Sequence, residues 1–139
     1  MQLADNRIEN LSEKLKIDIP EIKFAYLFGS SVTGKSRENS DVDIGIYLDA
    51  GTKSFELISR ILTSIEDIIP EFQIDLTVLN DAGIIISMEA LKGKLLFVRE
   101  QAEDFHAGFY TLTCRKYEDH MVWMKKQLKY RGHEVQWGD

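Results

Sequence analysis

Apolar positions along this chain follow two rhythms, one of three to four residues and one of two. Leu3, Ile8, Leu11 and Leu15 recur at steps of three to five with charged and amide residues between them, which predicts an amphipathic helix ending ahead of Pro20. Residues 22–28 (IKFAYLF) are apolar, aromatic and short in span, bounded by Pro20 and Gly29, and predict a strand. Gly29-Ser30-Ser31 then opens a short helical turn, closed by Gly34 and a polar segment over 35–40. Alternation through Val42, Ile44, Ile46 and Leu48 predicts a second strand, followed by a turn at Gly51-Thr52. Phe55, Ile58, Leu62, Ile65 and Ile69, at steps of three and four, predict a helix stopped by Pro70. Residues 72–79 (FQIDLTVL) read as a third strand. Asn80-Asp81 is expected to cap a helix running through Leu91, because a short side-chain oxygen satisfies the free amides of a first turn. Gly93 stops that helix, and 94–98 form a fourth strand or an edge element. From Gln101 to about Arg131 the chain is compatible with a helix, with Ala102, Phe105, Phe109 and Leu112 on one face and with Gly108 and Gly132 weakening or ending it.

This order predicts an α/β or α+β fold, a small sheet covered by helices with a C-terminal helix. There is no repeat, low-complexity tract or linker, and 139 residues suit one domain over 1–139, its C-terminal helical segment at about 101–131. The formal charge of −6 speaks against a nucleic acid held directly along the surface, since phosphate backbones are bound by lysines and arginines. It leaves room for a small anion held at one site with metal ions. Cys114 is the single cysteine, so no internal disulfide forms, which fits a cytoplasmic protein. The start of the chain lacks the basic head and apolar run of a signal peptide, and stretches such as 84–86 and 95–98 are too short to span a membrane.

The chemistry concentrates in Leu27-Phe28-Gly29-Ser30-Ser31 and Ser40-Asp41-Val42-Asp43-Ile44. Gly29 and Ser30 leave a buried strand and enter a helix start, where free amides favour an anion. Glycine lets the main chain approach a phosphate, and the Ser30 hydroxyl can donate to it. Asp41 and Asp43 lie two apart on a strand, so both carboxylates share one face while Val42 and Ile44 point into the core. Two adjacent carboxylates repel, and a divalent cation removes that conflict; Mg²⁺ takes one or two carboxylates plus substrate phosphates. Asp75, between Ile74 and Leu76, joins them if its strand pairs with 42–48, and three carboxylates can hold two metals for an in-line displacement. Singly, each of these residues reads as well as a turn or an exposed strand residue. The strand, the Gly-Ser pair, the ten-residue spacing over 31–40, the Asp-x-Asp strand and the later acid together specify far more.

Gly29-Ser30, ten residues, then Asp41-Val42-Asp43 resembles the signature of the polymerase-beta-like nucleotidyltransferases. The short chain resembles their minimal (MNT) branch, bacterial and archaeal proteins encoded beside HEPN-domain partners. The resemblance implies a nucleotidyltransferase fold with a mixed sheet. It implies a triphosphate held by Gly29 and Ser30, and Mg²⁺ held by Asp41, Asp43 and Asp75. It also implies an antitoxin role, in which AMP passes from ATP to a tyrosine of a HEPN RNase toxin. One departure stands out: where many minimal members read Gly-Ser-x-Ala-Arg-Gly, this chain has Thr33 in place of the arginine, with Lys35 and Arg37 near enough in sequence to supply the charge. Two other functions remain open at this stage. One is transfer to an antibiotic-type small molecule, and the other is a non-catalytic antitoxin that inhibits by binding.

Arg115, Lys116, Lys125, Lys126, Lys129 and Arg131 are interleaved with Tyr110, Tyr117, Trp123, Tyr130 and Trp137. This segment reads either as a docking surface for a partner protein or as an amphipathic helix with a solvated basic face and an aromatic core face. His106, His120 and His133 lack zinc-site spacing and read as surface or satisfied core residues.

Overall fold

The computed structural model describes residues 3–29 and 41–130. The chain runs α1 (Asp5–Asp18), β1 (Ile22–Phe28), β2 (Asp41–Leu48), α2 (Phe55–Ile68), β3 (Gln73–Val78), α3 (Ile84–Leu91), β4 (Lys94–Val98), a 3₁₀ turn (Glu100–Ala102) and α4 (Glu103–Tyr130). The strands form one mixed sheet in the order β3-β2-β1-β4. β1 lies antiparallel to both β2 and β4, while β2 and β3 are parallel. The α/β reading and the mixed sheet therefore hold.

Each face of the sheet has its own apolar layer. Val42, Ile44, Ile46 and Leu48 of β2 meet Leu11 and Leu15 of α1 and Leu57, Ile61 and Ile65 of α2 on one face. Phe24, Tyr26 and Phe28 of β1 meet Leu79, Ala90 and the partly buried Tyr47 and Phe109 on the other. β1 is buried on both sides from Phe24 to Phe28, which is why that stretch is a continuous apolar run rather than an alternation. Ile22 joins the first layer and Phe24 the second because the pairing with β2 slips between them: Ile22 stands opposite Leu48 and Phe24 opposite Tyr47. Lys23 is the extra residue of that bulge. Its ammonium lies 4.0 Å from the ring centroid of Phe105, at the start of α4.

Side-chain bonds then fasten the ends of elements. Ser54 caps α2 by accepting from the Leu57 amide. Arg99 donates to the carbonyls of Lys16, Ile19 and Ile22, which closes the α1–β1 turn from the far end of β4. Gly93, expected only as a helix stop, has a stricter role. A Cβ there would collide with the carbonyl of Leu27 and with Phe28, so glycine lets the α3–β4 junction lie against the end of β1.

Three expectations are corrected. Asn80 and Asp81 do not cap α3, whose N-cap is Gly83 with no side-chain bond. Asn80 instead spans the end of β2, accepting from the Leu48 amide and donating to the Leu48 carbonyl, and Asp81 pairs with Lys53. Phe55 has the right periodicity for the buried face of α2 but sits at its first position, beyond the edge of the core, and is 87% exposed. In α4, Gly108 neither ends nor breaks the helix, which runs 28 residues, about 42 Å. Of the apolar face expected there, Ala102 is buried and Phe109 is packed, whereas Phe105 and Leu112 are about half exposed. No residue over 114–129 is buried, and Tyr110 and Trp123 are exposed. Among the described residues, Tyr110 and Trp123 thus do not belong to a core face. The turn expected at 31–34, Ser30, and the segment from Arg131 onward lie outside the described residues.

Candidate active site

β2 begins at Asp41, and its alternation sends Val42 and Ile44 inward, both fully buried. Asp41 and Asp43 consequently share the opposite face, Asp41 exposed and Asp43 partly covered. Parallel pairing with β3 sets Asp41 opposite Gln73, Asp43 opposite Asp75 and Gly45 opposite Thr77. The condition attached to Asp75 is met: its strand does pair with β2, and it stands on the same face directly beside Asp43. Adjacent strands are about 4.8 Å apart, so this register brings the two carboxylates within reach of each other.

Asp43 records the crowding. Burial pushes its carboxyl up to about 6, and the charges of Asp75 and Asp41 add to the shift, with Asp75 close enough to share a proton. Two like charges about 5 Å apart cost about 3 kcal/mol at an effective dielectric near 20. None of the ion pairs among the described residues involves any of the three acids.

Gly29 closes the site from the end of β1. Phe28 is the register partner of Asp43, and the next residue turns away with φ +82°, in the left-handed region that favours glycine. A Cβ at Gly29 would also run into the Oδ2 of Asp43. Gly29 is thus fitted to this site twice, once by its backbone angle and once by its contact with a carboxylate. The sequence reading named Gly29 for phosphate approach alone. Ser30 lies outside the described residues.

The donor set is wholly oxygen, suited to a hard divalent cation. Among the described residues no group of three or more acidic, His or Cys side chains encloses a metal position by itself. The closest approach is that of Asp43 to Asp75. This fits a cation such as Mg²⁺, which keeps waters and takes substrate oxygens beside one or two protein carboxylates.

His106 is a satisfied residue of the second apolar layer, as expected. Its Nε2 lies 2.5 Å from the hydroxyl of Tyr26, and its ring packs edge-on against Phe24. Burial lowers its pKa and favours the neutral ring.

Comparison with known proteins identifies the family and the fold. The family described as polymerase beta, nucleotidyltransferase matches residues 9–102. Protein adenylyltransferase MntA of Shewanella oneidensis is 30% identical over 111 residues, covering 76% of this chain and 73% of the relative. A crystal structure of a toxin–antitoxin with AMP-PNP superposes with a TM-score of 0.66 at 23% identity, covering 91% of this chain and 97% of that one. A tri-AMPylated Shewanella oneidensis HEPN toxin in complex with an MNT antitoxin gives a TM-score of 0.62 at 18% identity, over 89% of this chain and 94% of that one. At such identities the two structures speak for the fold. The family match spans more than half of the chain and includes β1, β2 and β3, the strands that carry Gly29, Asp41, Asp43 and Asp75. The chain belongs to the nucleotidyltransferase family of polymerase beta.

Proposed function

We propose that this chain is a Mg²⁺-dependent protein adenylyltransferase that moves AMP from ATP to a tyrosine hydroxyl of a partner HEPN-type RNase toxin and so acts as its antitoxin. The observation that carries the reading is the register of β2 on β3, which sets Asp43 beside Asp75 with Asp41 next along the same face. The similarity to protein adenylyltransferase MntA supports AMP as the group transferred and a protein as its acceptor.

In this reading Gly29 brings the main chain against the phosphates, and Ser30 donates to a phosphate oxygen. Asp41, Asp43 and Asp75 would hold Mg²⁺, which would supply neutralisation of the triphosphate charge for an in-line displacement. The phenolic oxygen attacks the α-phosphorus of ATP, a new P–O bond forms, and the bond to pyrophosphate breaks. Asp75, exposed on the edge strand, would take or steer the phenolic proton. A partner protein supplies the positioning surface for the acceptor. The exposed aromatic residues Tyr110 and Trp123 of α4 suit such a docking surface. AMP on the toxin adds negative charge and bulk, which oppose RNA binding by like-charge repulsion.

Incubation of chain and toxin with ATP and Mg²⁺ is expected to add about 329 Da per transfer to the intact toxin, the mass of an AMP group in this phosphoryl-linked chemistry. Neutralisation with no change in toxin mass, reproduced by the Asp41→Asn/Asp43→Asn variant, would instead establish inhibition by contact.

A further inference from the structure

A cavity of about 220 Å³ lies between β2, α3 and α4, at the end of the sheet opposite the carboxylates. Tyr47 and Phe109 form two of its walls, their rings 5.5 Å apart at 65°. Two polar side chains line it from facing helices, Ser87 of α3 and Thr113 of α4, each 5% exposed. Neither hydroxyl hydrogen-bonds to any described residue. Both hydroxyls line the cavity without a protein partner and are therefore open to an occupant.

Two further features set the charge of that occupant. The first turn of α3 is at the cavity, where Ile84 lines it. Its N-cap, Gly83, carries no side chain, its first turn holds no acid, and the first amide bonded within the helix is that of Ser87. The leading amides of α3 are therefore free to bind an anion. Lys116 lines the same cavity from α4 and has no carboxylate partner among the described residues.

We propose that this cavity is a binding site for a small aromatic carboxylate bearing a second polar group. The ring lies against Tyr47 and Phe109, the carboxylate meets the α3 amides and Lys116, and the polar group bonds to Ser87 and Thr113. The volume holds about seven waters at roughly 30 Å³ each, which matches one ligand of about ten non-hydrogen atoms. The site is separate from the nucleotide site. Leu79 lies over Gly45 between the two, and Tyr26, Phe28 and Ala90 pack beside it. An occupant would tie α3 to α4 and so stiffen the attachment of the long helix to the sheet.

The probe is 4-hydroxybenzoate, with the neutral 4-hydroxybenzyl alcohol as its control, titrated into the full-length chain by calorimetry and thermal denaturation. Binding of the acid at least tenfold tighter than the alcohol is expected, with a rise in melting temperature. The surface variant Lys116→Gln is expected to weaken the acid about tenfold and the alcohol little. Ser87→Ala with Thr113→Val, checked for folding by circular dichroism, is expected to weaken both ligands. AMP-PNP with Mg²⁺ should leave probe binding unchanged. No heat and no stabilisation at 10 mM acid would overturn the proposal, as would affinity unaltered in both variants. Displacement of the probe by AMP-PNP would overturn the separateness of the site and assign the cavity to the nucleotide.

Discussion

Around α1 and α2, acidic side chains stand beside cations. Glu71 receives both terminal nitrogens of Arg7, and Asp18 takes the Nζ of Lys14 at 2.9 Å together with the Ser64 hydroxyl. Glu21 pairs with Arg60. On the β2–β3 ridge the pattern reverses: Asp43 faces Asp75, Asp41 follows, and no described cation pairs with any of them. Titration separates the two regions as well. The hydrogen bond from Lys14 lowers the Asp18 carboxyl, and that from Arg7 lowers Glu71, whereas burial and like charge raise Asp43 to about 6. Acids of the first kind serve the fold. Acids of the second kind work against it, and a backbone register that holds them together fits the cation site proposed for them.

The contrast predicts opposite outcomes for neutralising mutations. Asp41→Asn with Asp43→Asn removes charge but keeps shape. AMP transfer is expected to fall at least about a thousandfold, since cation-mediated charge stabilisation of several kcal/mol is lost and each 1.4 kcal/mol is tenfold. Without metal the variant is expected to melt no lower than wild type, because repulsion is relieved. Single-turnover assays with labelled ATP and a melting curve in EDTA read both. A clear drop in melting temperature would turn these acids into structural residues and erase the contrast.

Gly29→Val comes next in size, because it disturbs both the backbone and the carboxylate of Asp43. The side chain meets a backbone angle that costs a non-glycine residue about 1–2 kcal/mol, and its Cβ falls on the Asp43 carboxylate. Transfer is expected to drop by about a hundredfold or more, and the melting temperature by several degrees at about 2–4 °C per kcal/mol. Turnover close to wild type would mean that phosphates do not approach this corner of the sheet.

pH distinguishes the two kinds of acid without mutation. Between about 4 and about 6 the folded chain holds a proton on Asp43 that the unfolded chain has released, so this group destabilises the fold as pH rises through that window. Asp18 and Glu71 act the other way: their contribution is present above the ordinary carboxylate range and is lost as pH falls below it. Metal-free denaturation curves of wild type and Asp43→Asn, compared from pH 7.5 to 5, are expected to converge as pH falls, with the variant ahead at pH 7.5. Parallel curves would remove Asp43 from the account.

Much of this contrast was legible in the sequence, and the limits have physical causes. Alternation over 42–48 placed Asp41 and Asp43 on one face, because a period of two leaves no other option when Val42 and Ile44 must be buried. Asp75 stayed conditional, since the neighbour of a strand is decided by distant pairing and no local pattern encodes it. Asn80 shows another limit: its type suits a helix cap, and tertiary contact with Leu48 claimed it instead. Phe55 had the periodicity of a core residue and lost it by standing at a helix end. The bulge at Lys23, which lets β1 serve both apolar layers, could not be read from one polar residue in an otherwise apolar run. The ion pairs around α1 and α2 join residues as far apart as Arg7 and Glu71, so which acids were compensated could not be read from composition.

The smallest expected effect tests the other half of the comparison. Glu71→Gln removes one partner from an exposed pair, yet Arg7 keeps a bond to the carbonyl of Ile68 and its guanidinium remains over the ring of Phe72, 5.8 Å from the centroid. Exposed pairs contribute little because water screens them and both side chains must be ordered to meet. The melting temperature at neutral pH is expected to fall by no more than about two degrees in a chain of this size, and AMP transfer to stay at the wild-type rate. The sign is what matters: neutralising a compensated acid lowers stability slightly, whereas neutralising Asp43 raises it. Measured side by side in EDTA at pH 7.5, the two variants should lie on opposite sides of wild type. If Glu71→Gln and Asp43→Asn shift the melting temperature in the same direction, crowding at the β2–β3 ridge is not what sets its acids apart.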